Sequence, residues 1–333
     1  MNKTDYKEKL KQKLNEVAEK IKNSDLTDQQ KTDLLLSVLD TKINLMITGG
    51  TGCGKSSTIN ALFNQEKAKV GTRPNPETMD ITSYEMDNLT IWDTPGLGDG
   101  IKDEQHKKNI INLLDKKDEN GDPLIDLVLV ILNGAVKEYG TDFNLINNVI
   151  IPNLGKDPEK RILVAINKAD ASGGGRHWNF EKNCPDDYLL KFLDDKVADA
   201  KKRIKESTNI DIDIIYYSAG YKEEGLPQEP SFNLSKLLDY ILRCVPNEKR
   251  IAISKNLTKN ADNFKSNDGK DNYNKNIKNS FGEAFSEFFE DCVFEGGWIG
   301  ENLGKPGEIV GKAIGGVVGV VGGLFKGIFS LFG

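Results

Sequence analysis

Eight consecutive residues near position 50 have the types and spacing that bind a triphosphate. Gly49 and Gly54 are separated by four residues, and a lysine and a serine follow, which matches the pattern G-x-x-x-x-G-K-[ST]. Glycines let the backbone curl so that successive N–H groups point at one anion, and the start of a helix adds partial positive charge. Lys55 can reach the terminal phosphates, and the Ser56 hydroxyl can hold Mg²⁺. The pattern predicts nucleoside triphosphate binding without identifying the base.

The sequence on either side supplies the elements that such a loop requires. The apolar run 43–47 predicts a buried strand before the loop, and residues 56–63 predict the start of a helix after it. Cys53 is interpreted as a small filler within the loop, with a redox sensor as the alternative. The loop residues predicted to contact the nucleotide are Gly50, Thr51, Gly52, Cys53, Gly54, Lys55, Ser56 and Ser57.

A second motif, of the form D-x-x-G, begins where a predicted strand ends at Trp92. A carboxylate at a strand end can hold the Mg²⁺ shell, and Asp93 supplies it. The Gly96 amide can contact the terminal phosphate and so sense whether that phosphate is present. The motif is informative here because it follows a phosphate loop and a threonine-bearing loop.

The intervening loop contains prolines and two threonines that could act as a switch. We choose Thr78, whose hydroxyl would join Mg²⁺ and whose amide would contact the γ-phosphate; Thr72 is the alternative. The predicted catalytic residues are Lys55, Thr78 and Gly96, and the predicted Mg²⁺ ligands are Ser56, Thr78 and Asp93.

A third motif, N-K-x-D, follows a predicted strand that ends at residue 166 and indicates which base is bound. Guanine presents N1–H and N2–H₂ donors that one carboxylate, that of Asp170, can accept together; adenine has no such pair. Asn167 would brace the loop, and the stem of Lys168 would cover one face of the base. The segment Ser218, Ala219 and Gly220 follows another predicted strand, and the Ala219 amide could donate to guanine O6. The motifs together predict GTP and GDP as ligands.

Apolar runs alternate with helical patterns through the middle of the chain. This alternation predicts an α/β layer sandwich with a mostly parallel sheet, as in P-loop NTPases, with a flanking helical domain. The predicted divisions are N-terminal helices at 1–40, a guanine-nucleotide-binding domain at 41–246, a helical region at 247–297 and a glycine-rich apolar tail at 298–333. Within the helical region, residues 247–280 are rich in asparagine and lysine, and both a linker and a solvated helix stay open. The predicted strands are 43–47, 80–86, 89–92, 124–132, 161–166 and 210–217, the last nearer an edge, and the main predicted helices are 101–117, 141–151, 186–207 and 234–244.

Composition limits the partners and the compartment. The 45 basic and 51 acidic residues give no overall basic excess of the kind that nucleic-acid binding requires. Four cysteines and two histidines show no metal-ligand spacing, which argues against a zinc site. The charged N-terminus does not have the pattern of a secretory signal, so we expect a cytoplasmic protein.

The C-terminal stretch 309–332 is apolar, and glycine recurs in it at every fourth position from Gly311 to Gly327. Small residues at this spacing let helix backbones approach closely, as in membrane helix pairs. We predict that this tail associates with a membrane or lipid surface and could anchor the protein there. Self-association and a glycine-rich cover over the N-terminal helices are the alternatives.

The motifs, in this order, resemble the TRAFAC-class GTPases of the Era-like and septin-like kind over residues 41–246. Three segments resemble the bacterial YfjP-type GTPases more closely: 92–100, 176–178 and 216–225. The phosphate loop also resembles that of immunity-related GTPases, which implies that residues 4–40 and 247–297 pack together beside the GTPase core.

Two departures from these families affect the expected activity, and a loop arginine could do so. Leu97 stands where many relatives of Ras carry a water-positioning glutamine, so hydrolysis should be slow unless a partner or second protomer completes the site. Gly52 stands where potassium-activated relatives carry asparagine, so no potassium requirement is implied. Arg73 is interpreted as a solvated arginine, with a charge-stabilising finger as the alternative. Two functions stay open: a switch that hydrolyses GTP and pairs as a homodimer across the nucleotide face, and a GTP-gated scaffold with negligible turnover.

Overall fold

The computed structural model describes residues 41–63, 69–70, 81–95, 103–220, 230–286, 323 and 326–333. The strands are β1 (Ile43–Thr48), β2 (Lys69–Val70), β3 (Thr82–Met86), β4 (Leu89–Asp93), β5 (Leu127–Asn133), β6 (Ile162–Asn167), β7 (Trp178–Asn179), β8 (Cys184–Pro185) and β9 (Asp213–Tyr216). The helices are α1 (Lys55–Leu62), α2 (Asp103–Leu114), α3 (Gly140–Leu145), α4 (Asp187–Thr208), α5 (Leu234–Cys244), α6 (Asn247–Asn256), α7 (273–286) and α8 (326–331). Helix α3 continues through a π-helical turn, Ile146–Ile150, into Ile151–Asn153.

Within the described residues, seven strands form one sheet in the order β2-β3-β4-β1-β5-β6-β9. Five neighbouring strands of the sheet are mutually parallel: β4, β1, β5, β6 and β9. Strand β3 pairs with β4 as an antiparallel hairpin. The predicted α/β class with a mostly parallel sheet is confirmed, and β9 lies at an edge as predicted. Residues 69–70, which we predicted to be loop, instead pair with β3.

The sheet is buried on both faces, which explains the continuous apolar runs of its central strands. Successive residues of a strand point to opposite faces, so Leu45 and Ile47 belong to one core cluster and Met46 to the other. Helices α1, α5, α6 and α7 cover the first face, and α2, α3 and α4 cover the second. Because β1, β5 and β6 run in the same direction, their carboxyl ends meet at one edge. Motifs that follow these strands are therefore brought together.

The asparagine- and lysine-rich stretch 247–280 is neither a linker nor a solvated helix. Helix α6, the 3₁₀ turn Ala261–Phe264 and helix α7 pack into the same core cluster as the phosphate-loop helix. The backbone of Thr258 donates to Leu62 O at 2.9 Å, and Asn263 Nδ2 donates to Ala61 O at 3.0 Å. These bonds satisfy carbonyls at the C-terminal end of α1 that the helix itself leaves unpaired.

Buried polar contacts also attach this stretch to the sheet domain. Asp268 is paired with Lys236 of α5 at 2.7 Å, and the two side chains are 0% and 9% exposed. The same carboxylate accepts from Asn233 Nδ2 at 3.2 Å and from the Tyr273 hydroxyl at 2.9 Å. A buried ion pair needs this kind of additional hydrogen bonding. Polar residues that looked solvated in the sequence therefore belong to the interior.

The last eight residues of the chain dock on this C-terminal unit. Ile328 and Phe332 are 4% and 2% exposed, and the Phe332 ring lies 4.9 Å from that of Phe264 between centroids. Phe329, on the other side of α8, is 42% exposed. The rest of the predicted tail and the N-terminal helices at 1–40 lie outside the described residues. Among the helices that are described, none has the length and apolar character of a membrane span.

Candidate nucleotide-binding site

The phosphate loop needs glycine at two positions for steric reasons. Gly49 has φ of 143°, and a Cβ placed there would lie 2.1 Å from the carbonyl oxygen of Ile131 on β5. Gly54, which begins helix α1, has φ of 94°, and its Cβ would lie 2.2 Å from Asn167 Nδ2. Both φ values are positive, a region that favours glycine. At both positions an added Cβ would collide with a residue of a neighbouring strand. The loop is thus shaped by the strands beside it.

The interior of the loop presents donors to an anion. No hydrogen bond within the described residues uses the amides of Gly52, Gly54 or Ser56. Thr51, Gly52, Ser56 and Ser57 are exposed at the start of α1, where the helix contributes partial positive charge. Lys55 Nζ folds back over the loop and donates to Gly49 O at 3.1 Å and to Gly50 O at 3.4 Å. The ammonium group therefore lies at the mouth of a donor-lined cradle.

Cys53 fills the space beneath the loop. Its side chain is 1% exposed, and burial raises the pKa of its thiol to about 11. The thiolate is the reactive form, so this cysteine has little nucleophilic character at neutral pH. These properties support the filler interpretation and count against the redox sensor.

Asp93 ends strand β4 beside the phosphate loop. Its Oδ1 atom is buried and has no hydrogen-bond partner among the described residues. Burial raises the pKa of Asp93, and the nearby positive charge of Lys55 acts in the opposite direction. The next residue fixes the strand end, since Thr94 N donates to Ile47 O at 3.1 Å and Thr94 Oγ1 to Thr48 Oγ1 at 2.8 Å. An unpartnered buried carboxylate oxygen facing a lysine is suited to a cation shell.

Asn167 joins the phosphate loop to the loop after β9. Its Nδ2 donates to Cys53 O at 2.9 Å, and its Oδ1 accepts from Ala219 N at 3.0 Å. The asparagine is 2% exposed. Its predicted bracing role is thus visible as a clamp across three loops. The Ala219 amide, which we predicted to donate to guanine O6, is engaged by this clamp, so a contact with O6 would have to share or exchange that bond.

The rest of the base-recognition motif lies directly beside the clamp. Lys168 adopts a left-handed conformation with φ of 61°, which turns the chain into the 3₁₀ segment Ala169–Gly175. Asp170 Oδ1 is buried and has no hydrogen-bond partner among the described residues. Gly220 N donates to Ser218 Oγ at 3.4 Å, which shapes the neighbouring loop. A buried acceptor without a donor is costly, and a ligand with two adjacent N–H groups would satisfy it.

Two residues at the site carry no motif and were not predicted. The hydroxyl of Tyr217, which is fully buried, lies 2.5 Å from Thr58 Oγ1 and ties the end of β9 to helix α1. Asp142 Oδ1 accepts from Gly50 N at 3.2 Å. Neither residue has a local sequence signal, because both act through contacts between segments that are distant in the chain. Thr78 and Gly96 lie outside the described residues, so their roles stay predictions.

Comparison with known proteins agrees with this geometry. Residues 44–168 match the family model described as 50S ribosome-binding GTPase. The chain is 29% identical over 121 residues to translocase of chloroplast 126 of Physcomitrium patens, a match covering 34% of this chain and 10% of the relative. It is 32% identical over 91 residues to human septin-9, covering 23% of this chain and 16% of the septin. The chain therefore spans only a small part of these relatives.

Among the solved structures similar to this chain is Toc33 from Arabidopsis thaliana, in complex with Mg²⁺ and GMPPNP. It is 17% identical to this chain, with a TM-score of 0.38, and the match covers 60% of this chain and 82% of Toc33.

Proposed function

We propose that this chain, which contains a P-loop GTPase domain, works as a GTP-dependent switch that hydrolyses GTP to GDP and phosphate. The observation that carries the choice of base is the buried Oδ1 of Asp170, which has no hydrogen-bond partner in the part of the chain that the structure describes. It lies on the loop that Asn167 ties to the phosphate loop. Guanine supplies the paired donors that this oxygen lacks, and adenine does not. The sequence motifs support the switch, because Thr78 and Gly96 would contact the γ-phosphate only in the GTP state.

Mg²⁺ is part of this proposal, and the residues present fit it. Magnesium takes oxygen ligands and is usually bound through one or two protein groups together with waters and substrate phosphates. The exposed Ser56 hydroxyl and the Asp93 carboxylate, whose Oδ1 has no partner among the described residues, are groups of that kind. Thr78 remains a predicted third ligand. Bound there, Mg²⁺ would neutralise charge on the phosphates, while Lys55 and the loop amides hold them.

Turnover by the isolated protomer is proposed to be slow. Leu97 cannot orient the attacking water by hydrogen bonding, so a second protomer across the nucleotide face is proposed to complete the site. The resemblance to YfjP-type and immunity-related GTPases likewise remains a proposal.

Phosphate release measured over a wide series of protein concentrations tests the activity. We expect GTP to be hydrolysed and ATP not, with a specific rate that rises at least about tenfold with concentration as protomers pair. Lys55→Ala should abolish the activity, because it removes the cation that contacts the terminal phosphates. A low rate independent of concentration, with GTP still bound tightly, would favour the GTP-gated scaffold instead.

Lipid association through the tail is a second part of the proposal, motivated by the apolar, glycine-spaced stretch 309–332. We expect the full chain to co-float with vesicles of phosphatidylcholine and phosphatidylglycerol, and a chain ending at residue 304 to remain in the soluble fraction. Phe329→Ser should weaken flotation with little change in the melting temperature, because that side chain is 42% exposed and its ring contacts the solvent-side Lys278 ammonium, 5.7 Å from the centroid. Equal flotation of the full and shortened chains would remove this part of the proposal.

A further inference from the structure

One carboxylate outside the sequence motifs contacts the phosphate loop. Asp142 lies in the first turn of helix α3, which follows strand β5, and its Oδ1 accepts a hydrogen bond from Gly50 N at 3.2 Å. Gly50 is the second residue of the loop. Asp142 and Gly50 are 92 positions apart in the chain, so the contact exists only because β1 and β5 are neighbours in the sheet.

The Gly50 residue is held from both sides. Its carbonyl oxygen accepts from Cys53 N at 3.2 Å and from Lys55 Nζ at 3.4 Å, while its N–H is held by Asp142. Glycine has wide conformational freedom, so a loop glycine needs external bonds to keep one orientation. The Gly50 N–H shares its planar peptide unit with the Gly49 carbonyl, which accepts from Lys55 Nζ at 3.1 Å, so holding this N–H also fixes a carbonyl that orients the lysine.

Helix α3 is itself anchored at its start. Lys196 of α4 donates to the carbonyl oxygens of Gly134 and Val136 at 2.7 and 2.6 Å. The same ammonium group lies 4.9 Å from the centroid of the Tyr139 ring, whose residue is 5% exposed. Asp142 therefore reaches the phosphate loop from a segment whose position is set by α4.

The negative charge of Asp142 and its hydrogen bond to Gly50 are expected to affect anion binding in opposite directions. Burial raises the pKa of Asp142, and the bond from Gly50 and the positive charge of Lys55 lower it. An ionised carboxylate close to Lys55 offsets part of the positive potential that draws phosphate oxygens to the loop. The hydrogen bond and the charge thus have opposite expected effects on nucleotide affinity.

We propose that Asp142 is a positioning residue for the nucleotide: it holds the Gly49–Gly50 peptide unit so that Lys55 faces the phosphates, and its negative charge limits how tightly the triphosphate binds. This inference rests on the proposed function and adds a residue to the same site. The acceptor oxygen and the charge can be separated experimentally, because asparagine keeps an acceptor and removes the charge.

Affinities of the full chain for fluorescent GTP and GDP test this, with Asp142→Asn and Asp142→Ala beside the wild type. We expect Asp142→Asn to bind GTP several-fold more tightly than the wild type, with a smaller gain for GDP and a gain that shrinks at high salt. Asp142→Ala should bind about tenfold more weakly than Asp142→Asn, because the Gly50 amide loses its acceptor. A role limited to fold stability would not depend on phosphate number or on salt.

Asp126→Asn is the matched control. Asp126 is, like Asp142, a partly buried carboxylate that accepts a hydrogen bond from a backbone amide, that of Asn44 at 2.8 Å, but it lies at the opposite end of β5 and pairs with Lys249. We expect Asp126→Asn to lower stability and leave GTP affinity unchanged. Equal affinities for Asp142→Asn and Asp142→Ala, or a weaker Asp142→Asn than wild type, would overturn the inference alone. A wild type that binds neither GTP nor GDP would overturn the proposed function and this inference with it.

Discussion

Replacing Asp170 by asparagine is expected to turn a GTP-selective protein into one that prefers xanthosine triphosphate. Xanthine carries a carbonyl at C2 where guanine carries an amino group. The asparagine NH₂ group can donate to that carbonyl. Facing guanine, it would meet the amino group, which is also a donor, and no hydrogen bond would form. Asp170 Oδ1 is buried and unpartnered among the described residues, so a mismatched group there would stay unsatisfied. Sites of this kind discriminate by roughly 10²-fold or more.

Competition binding with GTP, xanthosine triphosphate and ATP on the wild type and the variant measures this change. Asp170→Ala serves as the control, because it removes the acceptor without supplying a donor and should lose GTP without gaining xanthosine triphosphate. A variant Asp170→Asn that retains wild-type preference for GTP would show that this carboxylate does not contact the base. The base assignment would then fail while triphosphate binding could stand.

The central strands and their motifs could be predicted because their signals are local. Strands β1, β5 and β6 are continuous apolar runs, because both faces of the sheet are covered by helices and successive side chains are buried on opposite faces. A motif that directly follows such a strand must lie at the carboxyl edge. The same reasoning predicts that Lys55, Asp93 and Asn167 lie at that edge, and the structure shows the Asn167 side chain bonded to the phosphate loop.

The contacts that were missed depend on strand order and on burial of polar residues. Asp142 meets Gly50 because β5 lies next to β1, which the sequence of α3 does not encode. Residues 247–280 looked solvated because they are polar, yet Asn263 and Asp268 make buried hydrogen bonds there. Average polarity does not distinguish a side chain facing water from one with a partner in the interior. The roles of Thr78 and Gly96, which lie outside the described residues, stay predictions.

Replacing Asn167 by alanine should have the largest combined effect on the free energy of unfolding and on nucleotide affinity. The substitution leaves Cys53 O and Ala219 N, both in residues 1% exposed, without their partner. Each buried unsatisfied group costs about 1–3 kcal/mol, so we expect a loss of about 2–5 kcal/mol in the free energy of unfolding, measured with urea. The phosphate loop and the base-recognition loop also lose their common clamp, and a displacement of about 1 Å can weaken a precisely positioned site by roughly 10²-fold.

Asn133→Ala is the matched control, because Asn133 lies beside Asn167 in the register of β5 and β6, at the same edge of the sheet. Among the described residues its Oδ1 accepts a single, local bond, from Ala135 N at 3.1 Å, and the residue is partly exposed. We expect its loss to change the free energy of unfolding by less than about 1 kcal/mol and GTP affinity little. If both alanine variants lowered GTP affinity equally, the effect would belong to this edge of the sheet in general. A clamp specific to Asn167 requires that Asn167→Ala lose both stability and nucleotide affinity while Asn133→Ala keeps them. Of these two asparagines, Asn167 is the one whose side chain bonds two other loops.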